Sequence, residues 1–377
     1  MASPFLYRPN RFILFADHKG EELRTYVANP GKLQEILIPG VTEVILEHKP
    51  HTKTKWEAVG ACWQSRWEGD PPRAVFLNTG KVNDIADRYL SAGLIPGLEE
   101  ATIIKREHTV GNSRFDFLLD TPGGEMLLEV KSVTLVEHGV AMFPDATSAR
   151  ATKHVEELTE LAIEGHRTGV LFMVQGRADF LLPDLHNDLD FARAIRTASD
   201  HIEIFAVTVS PTLGPDDELI FPDHPTRIPT PWERLDPILD DAGLYLAILE
   251  VPTETELTVG ALGSFTFRPG FYTYVGSAQK ALTKRLNRHS RKRKTKRWHI
   301  DYLRDIASSV TTLPIRGARD ESALADQLAI LGERFPNNFG ATDCPDDGHL
   351  VYTPTDPIHT APFQRLLTSW RAAVYKP

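Results

Sequence analysis

Cysteine is almost missing from this sequence: Cys62 and Cys344 are the two in 377 residues. Their number and spacing exclude a disulfide framework and a CxxC metal site, and fit a reducing compartment. No uncharged apolar run approaches the ~20 residues that cross a bilayer, which excludes a membrane-spanning helix. The opening MASPFLYRPNRFILFADHKG lacks a basic segment followed by an apolar stretch and a small-residue cleavage site, so the expectation is a cytoplasmic protein without a secretory signal. Apolar residues at 41% and charged residues at 25% exclude global disorder. The length is two to three times that of one domain, so several units with separate cores are expected.

Positive charge is outnumbered, 42 Lys and Arg against 51 Asp and Glu, and the formal net charge is −9. It is also segregated. KRLNRHSRKRKTKR, Lys284 to Arg297, holds nine basic residues and no acid, leaving −18 on the remainder. Like charges crowded together repel one another unless a polyanion screens them, and phosphate backbones are the commonest such partner. Lys284, Arg288, Arg291, Lys292, Arg293, Lys294, Lys296 and Arg297 are therefore candidate nucleic-acid contacts. A solvated loop is the other reading of such a run.

Proline divides the chain. Ser210 to Asp241 contains seven of the 27 prolines, and fixed φ with missing donors excludes a continuous helix or central strand there. Before it, short β-rich runs such as RTYVA, EVILEH and KWEAVGACW predict a small β-barrel over 1–74. Over 75–222, helical periods (KVNDIADRYLSAG, RATKHVEELTELAIEG, DLDFARAIRTAS) alternate with strand-like runs (RFDFLLD, EMLLEVKSVTLV, GVLFMVQ), predicting an α/β domain. A proline-rich connection over 223–241 then leads to a basic domain over 242–377.

RFDFLLDTPGGEMLLEVKS reads as a hairpin, because two apolar runs flank Thr121-Pro122-Gly123-Gly124. With the turn centred between Pro122 and Gly123, Asp116 falls across from Glu129. Cross-strand Cβ atoms are about 4.5–5.5 Å apart, so two carboxylates would sit side by side among Phe115, Phe117, Leu128 and Val130. Their repulsion calls for a proton on one or a shared divalent cation. Period two puts Lys131 on the face of Glu129, where an ammonium can orient water or stabilise a developing anion. Mg²⁺ or Mn²⁺ held by oxygen ligands beside a lysine suits water attack on a phosphodiester. An ordinary surface strand with a Glu-Lys pair is the bland alternative.

The runs SAGLIPGL, REHTVGNSRFDFLLD, LLEVKSVTLVEHGVAMFPDATSARATKHVEEL and GVLFMVQ resemble the sugar fermentation stimulation protein family, from about Arg11 to Pro222. That resemblance implies an OB-like barrel followed by a PD-(D/E)XK nuclease-like domain and DNA binding. By position, Asp116, Glu129 and Lys131 match that superfamily's acidic pair and lysine. Glu107 is a further candidate acid, and Asp145, Arg150, Lys153 and His154 match a polar run of the family; a cap, an ion pair and a satisfied histidine near a helix start are the other reading of Asp145, Arg150 and His154. The barrel departs from the family at Asn29-Pro30-Gly31-Lys32-Leu33, which lacks the hydroxyls of an NTGSM-like run, whereas Asn78, Thr79 and Asn83 are kept.

After the proline-rich stretch, QKALTKRLNRHSRK has a helical period with Ala281, Leu282 and Leu286 inward and Lys284, Arg285, Arg288 and His289 outward. Arg285 and His289, at i and i+4, would present a guanidinium fork and a movable proton to phosphate. GLY, YVGSA, LTKRLNRHSR, KRWHIDYL and ESALADQL resemble a GIY-YIG-type nuclease domain, from about Ala242 to Tyr352. The resemblance carries Tyr245 and Tyr274 onto the motif tyrosines, Gly276 onto its glycine, Arg285 onto its arginine and Glu321 onto its metal-binding glutamate, with His289 one turn beyond the arginine. Val275 replaces the motif isoleucine, and the gap between the tyrosines is wider than in typical members. Trp298 and His299 read as anchors of the helix that follows, with stacking on a base as the other reading, and Asp343, Cys344 and His349 as a turn residue, a buried thiol and a nearby histidine rather than a metal site.

The expected protein is multidomain: a small OB-like β-barrel, an α/β PD-(D/E)XK nuclease-like domain and an α+β GIY-YIG-like domain. Its expected activity is Mg²⁺- or Mn²⁺-dependent hydrolysis of DNA or RNA, with catalytic residues Asp116, Glu129, Lys131, Tyr245, Tyr274, Arg285, His289 and Glu321. Asp116, Glu129 and Glu321 are the expected metal ligands, and no membrane partner is expected. The rival is a DNA-binding regulator of sugar-utilisation genes with inactive nuclease-like domains.

Overall fold

The computed structural model describes residues 1–65, 69, 72–111, 113–341 and 347–376, so Asp343 and Cys344 lie outside the described residues. The chain divides into two compact units, Met1–Leu235 and Asp236–Pro377.

The first unit begins with β1 (Ala2–Asn10), β2 (Ile13–His18), β3 (Glu21–Val27), β4 (Glu43–His48), β5 (Trp56–Trp63) and β6 (Arg73–Phe76). The strand order is β3-β2-β1-β4-β5-β6, and parallel pairing of β3 with β5 closes five strands into an OB-like barrel. Period-two alternation fills it with Phe5, Leu14, Ala16, Val44 and Leu46. Closure leaves no long free edge.

Next come α1 (Val82–Ser91), β7 (Thr102–Val110), β8 (Ser113–Thr121), β9 (Gly124–Val133), β10 (Leu135–Glu137), β11 (Val140–Phe143), α2 (Ala149–Ile163), β12 (Arg167–Val174), β13 (Phe180–Pro183), α3 (Leu189–Ala198) and β14 (Glu203–Thr208). β7, β8 and β9 form an antiparallel meander, and β12 and β14 add in parallel through helical crossovers. One face packs Phe117, Leu128 and Met173 against Ala86 and Tyr89 of α1. The other packs Val170 and Phe172 against Leu158 of α2 and Ile195 of α3. Burial on both faces is why GVLFMVQ is a continuous apolar run. Each large side chain so buried contributes about 1.5–3 kcal/mol.

The proline-rich stretch does not run free between the units. β15 (Thr212–Leu213) and β16 (Leu219–Ile220) form a small hairpin, β17 (Thr226–Arg227) adds to the sheet edge beside β14, and α4 spans Trp232–Leu235. Proline is tolerated at such an edge because its missing N–H faces away from the ladder.

The second unit contains β18 (Gly243–Val251), β19 (Thr255–Thr258), β20 (Ser264–Phe267), β21 (Gly270–Ala278), α5 (Leu282–Ser290), α6 (His299–Ile306), β22 (Ser309–Arg316), α7 (Glu321–Ala329), β23 (Glu333–Arg334), β24 (Leu350–Thr353) and α8 (Ala361–Ala373). Its central sheet has the order β22-β18-β21-β24-β23. Residues of α5 and α6 cover one face and residues of α7 and α8 the other. The wide gap between the motif tyrosines is the β19–β20 hairpin, so four strands precede the basic segment. The expected helix through QKALTKRLNRHSRK is shorter. Ala281 takes a left-handed conformation (φ 53°) ahead of it and Arg291 is extended after it.

Candidate functional site

The β8–β9 hairpin pairs Thr121 with Gly124 through to Phe117 with Leu128, the register that centres the turn between Pro122 and Gly123. The ladder stops one residue short of Asp116. There the strands part, and the Asp116 Oδ2, rather than a main-chain carbonyl, accepts the Val130 N–H at 2.7 Å. Phe115 packs with the α2 layer and Phe117 with the α1 layer, although strict alternation would put both on one face. On the neighbouring strand Glu107 lies in the left-handed region (φ 54°), and its carboxylate is engaged with Arg114 at the surface, 2.7 Å away.

Asp116 is thus presented at the fork of two strands, with Asn83 of α1 donating to its Oδ1 at 2.6 Å. Burial, then the charge of Glu129, pushes its pKa up to about 6, against the opposing pull of the Val130 N–H, Lys131 and Asn83. Glu129 is buried. Its burial opposes ionisation, but the His154 Nδ1 and the Lys131 Nζ, each 2.6 Å from Oε1, outweigh that and hold its pKa below the ordinary carboxylate value. Glu129 Oε2 is buried with no hydrogen-bond partner. The structure therefore gathers Asp116, Glu129 and Lys131, with Asn83 and His154 as supports from two helices.

A divalent cation fits these groups. Their donors are oxygens, one lone-pair site on Glu129 is unsatisfied, and a nearby positive charge would offset the repulsion that raises Asp116. Among the described residues no three His, Cys, Asp or Glu side chains converge as a metal-binding group, so carboxylates alone do not complete a shell.

The rest of the polar run is dispersed. Lys153 turns to Glu157 along its own helix (3.3 Å), and Arg150 is exposed. Asp145 does not cap α2, whose cap is Ser148. Its Oδ2 is buried instead, and a Cβ on Gly31 would stand 1.9 Å from it. The Asn29–Leu33 segment that departs from the family's barrel sequence thus closes against the central domain. Arg8 holds this segment, donating to the carbonyls of Asn29, Gly31 and Lys32 at 2.8 Å.

In the second unit the long gap does not separate the tyrosines. β18 and β21 pair without interruption, Tyr245 opposite Gly276, and the rings of Tyr245 and Tyr274 are 6.3 Å apart. A Cβ at Gly276 would lie 2.4 Å from the Tyr245 Oη and 2.8 Å from Tyr274 Cε1, so only glycine lets both rings cross this point. Tyr245 Oη shares a 2.9 Å hydrogen bond with His289 Nε2. Burial raises the Tyr245 pKa well above the ordinary phenol value, more than Arg285 lowers it. Glu321 opens α7 and meets His349 Nδ1 at 2.9 Å.

His289 is a correction. It does not face outward beside Arg285: it is buried, and burial followed by nearby cations lowers its pKa to about 4. It is neutral at pH 7 and positions Tyr245 instead of offering phosphate a proton. Ala281, expected inward, is exposed. Two expected phosphate contacts are likewise turned inward. Asp301, fully buried, accepts from Arg288 Nη2 at 2.5 Å and pairs with Lys294 at 2.9 Å, while taking the Arg297 and Trp298 N–H groups at 2.9 and 3.2 Å. The sequence reading missed Asp301 because it lies outside the basic run. The guanidinium carbons of Arg285 and Arg288 lie 4.7 and 4.9 Å from the Trp298 ring centre, which fits the anchoring role. His299 Nδ1 accepts the Gly340 N–H at 2.9 Å. Lys284, Arg291, Lys292, Arg293 and Arg297 stand exposed, as does Lys296, which pairs with Asp305 at 2.6 Å.

A closed OB-like barrel leading into a sheet with an acid pair and lysine, followed by a domain with paired motif tyrosines, defines a multidomain protein with nuclease-like modules. Family models match over residues 6–67 as the SfsA N-terminal OB domain, over 80–215 as the sugar fermentation stimulation protein RE domain, and over 244–370 as a domain of unknown function, DUF123. The chain belongs to the sugar fermentation stimulation protein family. It is 38% identical over 206 residues to the sugar fermentation stimulation protein homolog of Clostridium tetani, covering 54% of this chain and 86% of that protein. The homolog of Methanothermobacter thermautotrophicus is 36% identical over 199 residues, 52% of this chain and 80% of that one. A solved structure described as Pyrococcus furiosus SfsA in complex with Ca²⁺ is 29% identical, with a TM-score of 0.52 over 60% of this chain and 94% of that chain.

Proposed function

We propose that this protein binds nucleic acid and hydrolyses phosphodiester bonds with Mg²⁺ or Mn²⁺. The observation that carries the reading is the buried, unpartnered Glu129 Oε2 beside Lys131 and an Asp116 whose ionisation is opposed. A relative whose solved structure is described as a complex with Ca²⁺ supports a divalent ion. Asp116 and Glu129 would hold it, and a bound divalent ion supplies an activated water and neutralises charge on the phosphate. His154 and Asn83 orient the two carboxylates, and Lys131 offers its ammonium to the developing negative charge.

In the second unit Tyr245, kept as neutral phenol by burial, holds a proton at Oη that His289 orients. Arg285 offers positive charge to a phosphate and Glu321 a single carboxylate for a cation. The exposed Lys284, Arg291, Lys292, Arg293, Lys296 and Arg297 supply the electrostatic grip on the backbone.

The test is incubation of full-length protein with single- and double-stranded DNA and RNA plus Mn²⁺ or Mg²⁺, comparing Glu129→Ala, Glu321→Ala and the double variant. Cleavage should disappear in the double variant, with each single variant reporting its own unit. Cleavage persisting in the double variant overturns the residue assignment. Binding in EDTA with no cleavage under either metal overturns the hydrolytic reading in favour of a binding protein.

A further inference from the structure

Helix α5 carries Arg285 and His289, yet its own sequence does not cap it. The residue ahead of its first turn is Ala281, left-handed at φ 53° and without a side-chain acceptor. The first N–H groups of a helix have no partner inside it and must find one elsewhere. Here Asp241, 42 positions before Thr283 in the sequence, supplies it. The Asp241 carbonyl accepts the Leu282 N–H at 2.9 Å, and both oxygens of its carboxylate lie 3.1 Å from the Thr283 N–H nitrogen. Thr283 Oγ1 donates to Asp241 Oδ1 as well, at 2.8 Å. A carboxylate placed here also meets the positive end of the helix dipole.

Asp241 is itself tied down. Arg316 Nε lies 3.4 Å from Asp241 Oδ1 while its Nη2 donates to Thr283 Oγ1 at 3.0 Å, so a buried guanidinium closes a ring through the cap. The next residue along, Ala242, accepts the Gly317 N–H at 3.0 Å. Gly243 then pairs with Ala278 on one side and Arg316 on the other. A Cβ on Gly243 would stand 2.5 Å from the Ile315 carbonyl oxygen, so the chain leaving Asp241 is locked where β18, β21 and β22 meet. The last residue of the proline-rich stretch thus serves the second unit's site.

Tyr245 follows Asp241 on β18, and Arg285 follows Thr283 on α5, so one tie sets the helix against the strand. At a rise of 1.5 Å per residue, Arg285 lies about 3 Å along the axis from Thr283 and His289 about 9 Å. Fraying of an uncapped first turn therefore reaches Arg285 before His289, which burial and the Tyr245 hydroxyl hold independently. Arg285 Nη1 donates to the Ser277 carbonyl at 2.5 Å, a bond that needs the helix start at its present height.

We propose that Asp241 is the positioning residue of the second unit's site: it fixes the start of α5, and through it the Arg285 guanidinium, against the strand that carries Tyr245. The expected effect on rate rests on the hydrolytic reading above, whereas the effect on geometry does not. The experiment uses the full chain with Glu129→Ala, so that cleavage reports the second unit, and compares Asp241→Ala with Asp241→Asn in that background. Cleavage of DNA with Mn²⁺ should show kcat lowered about tenfold or more in the alanine variant, with KM changed less than about twofold. Asparagine caps helices about as well as aspartate, so its kcat should stay within about threefold of the parent. In EDTA, NMR of chain labelled with ¹⁵N-arginine and ¹⁵N-histidine should show the Arg285 Nε–H resonance shifted in the alanine variant and restored in the asparagine one, while the His289 ring resonances stay. Thr283→Val removes the hydroxyl tie at an exposed position and should move the same Arg285 resonance, which keeps the test open if the alanine variant does not fold. An Arg285 resonance unmoved by these changes, or an asparagine variant as impaired as the alanine one, overturns the proposal. A moved Arg285 resonance without cleavage by any variant sustains this inference while the hydrolytic reading fails. Glu321-dependent cleavage with kcat unmoved by Asp241→Ala does the reverse.

Discussion

Replacing Asp116 by asparagine should make the first unit more stable at pH 8, not less. Asp116 titrates at about 6 in the fold against an ordinary value of 3.8. The folded state therefore holds this proton more tightly than the unfolded chain does. The stabilisation it brings is complete below pH 4 and is lost as the pH rises through 6. At 1.36 kcal/mol per pH decade the gap is worth at most about 3 kcal/mol. Asparagine keeps an oxygen for the Val130 N–H, stays neutral at every pH, and asks only that the Asn83 amide turn over to meet it. For a unit of this size, at about 2–4 °C per kcal/mol, the variant should melt up to about 6–12 °C above the parent at pH 8 and close to it at pH 4. Adding Mg²⁺ or Ca²⁺ at pH 8 should raise the parent's transition, by about 2.7 kcal/mol at a hundred times the dissociation constant, and the variant's far less. Differential scanning calorimetry across pH 4–8, with and without the cation, reads all of this. A variant-minus-parent difference that does not grow with pH would mean that the strand fork does not hold Asp116 as a neutral acid.

In the second unit, Gly276→Ala should push Tyr245 off His289 and cost about 1–3 kcal/mol from overpacking, read by denaturant unfolding together with loss of Glu321-dependent cleavage. Asp301→Asn leaves the buried Lys294 charge uncompensated; an expected loss of about 3–5 kcal/mol in the same unfolding assay would mark Asp301 as the organiser of the basic loop. Arg291→Ala/Lys292→Ala/Arg293→Ala should lower the slope of log binding constant against log salt by about 2–3 on duplex DNA, while leaving stability unchanged. His289 should show an NMR titration midpoint near 4 with no change between pH 6 and 8. Because that base is depressed in the fold, the stability it contributes is present above about pH 6.5 and lost as the pH falls towards 4.

What sequence reasoning could see was whatever depends on period and turn chemistry. Thr121-Pro122-Gly123-Gly124 sets the hairpin register, the register sets Asp116 near Glu129, and period two sets Lys131 beside Glu129. Period two also assumes a continuous ladder, and for that reason it could not see the fork at Asp116, where a carboxylate replaces a main-chain acceptor and Asn83 joins from a helix remote in sequence. The same limit operates in the second unit. An i, i+4 relation puts Arg285 and His289 on one helix side, yet the helix axis, rotated by the burial of Leu282 and Leu286, leaves one at the rim and draws the other under it. A run of cations looks uniform as text, but one buried acid thirteen residues beyond Arg288 takes two of them inward and leaves the others outward. In each case the missing information is a tertiary partner for a polar group, and desolvation makes that partner decisive: a buried charge or imidazole must find a counterpart wherever the chain provides one.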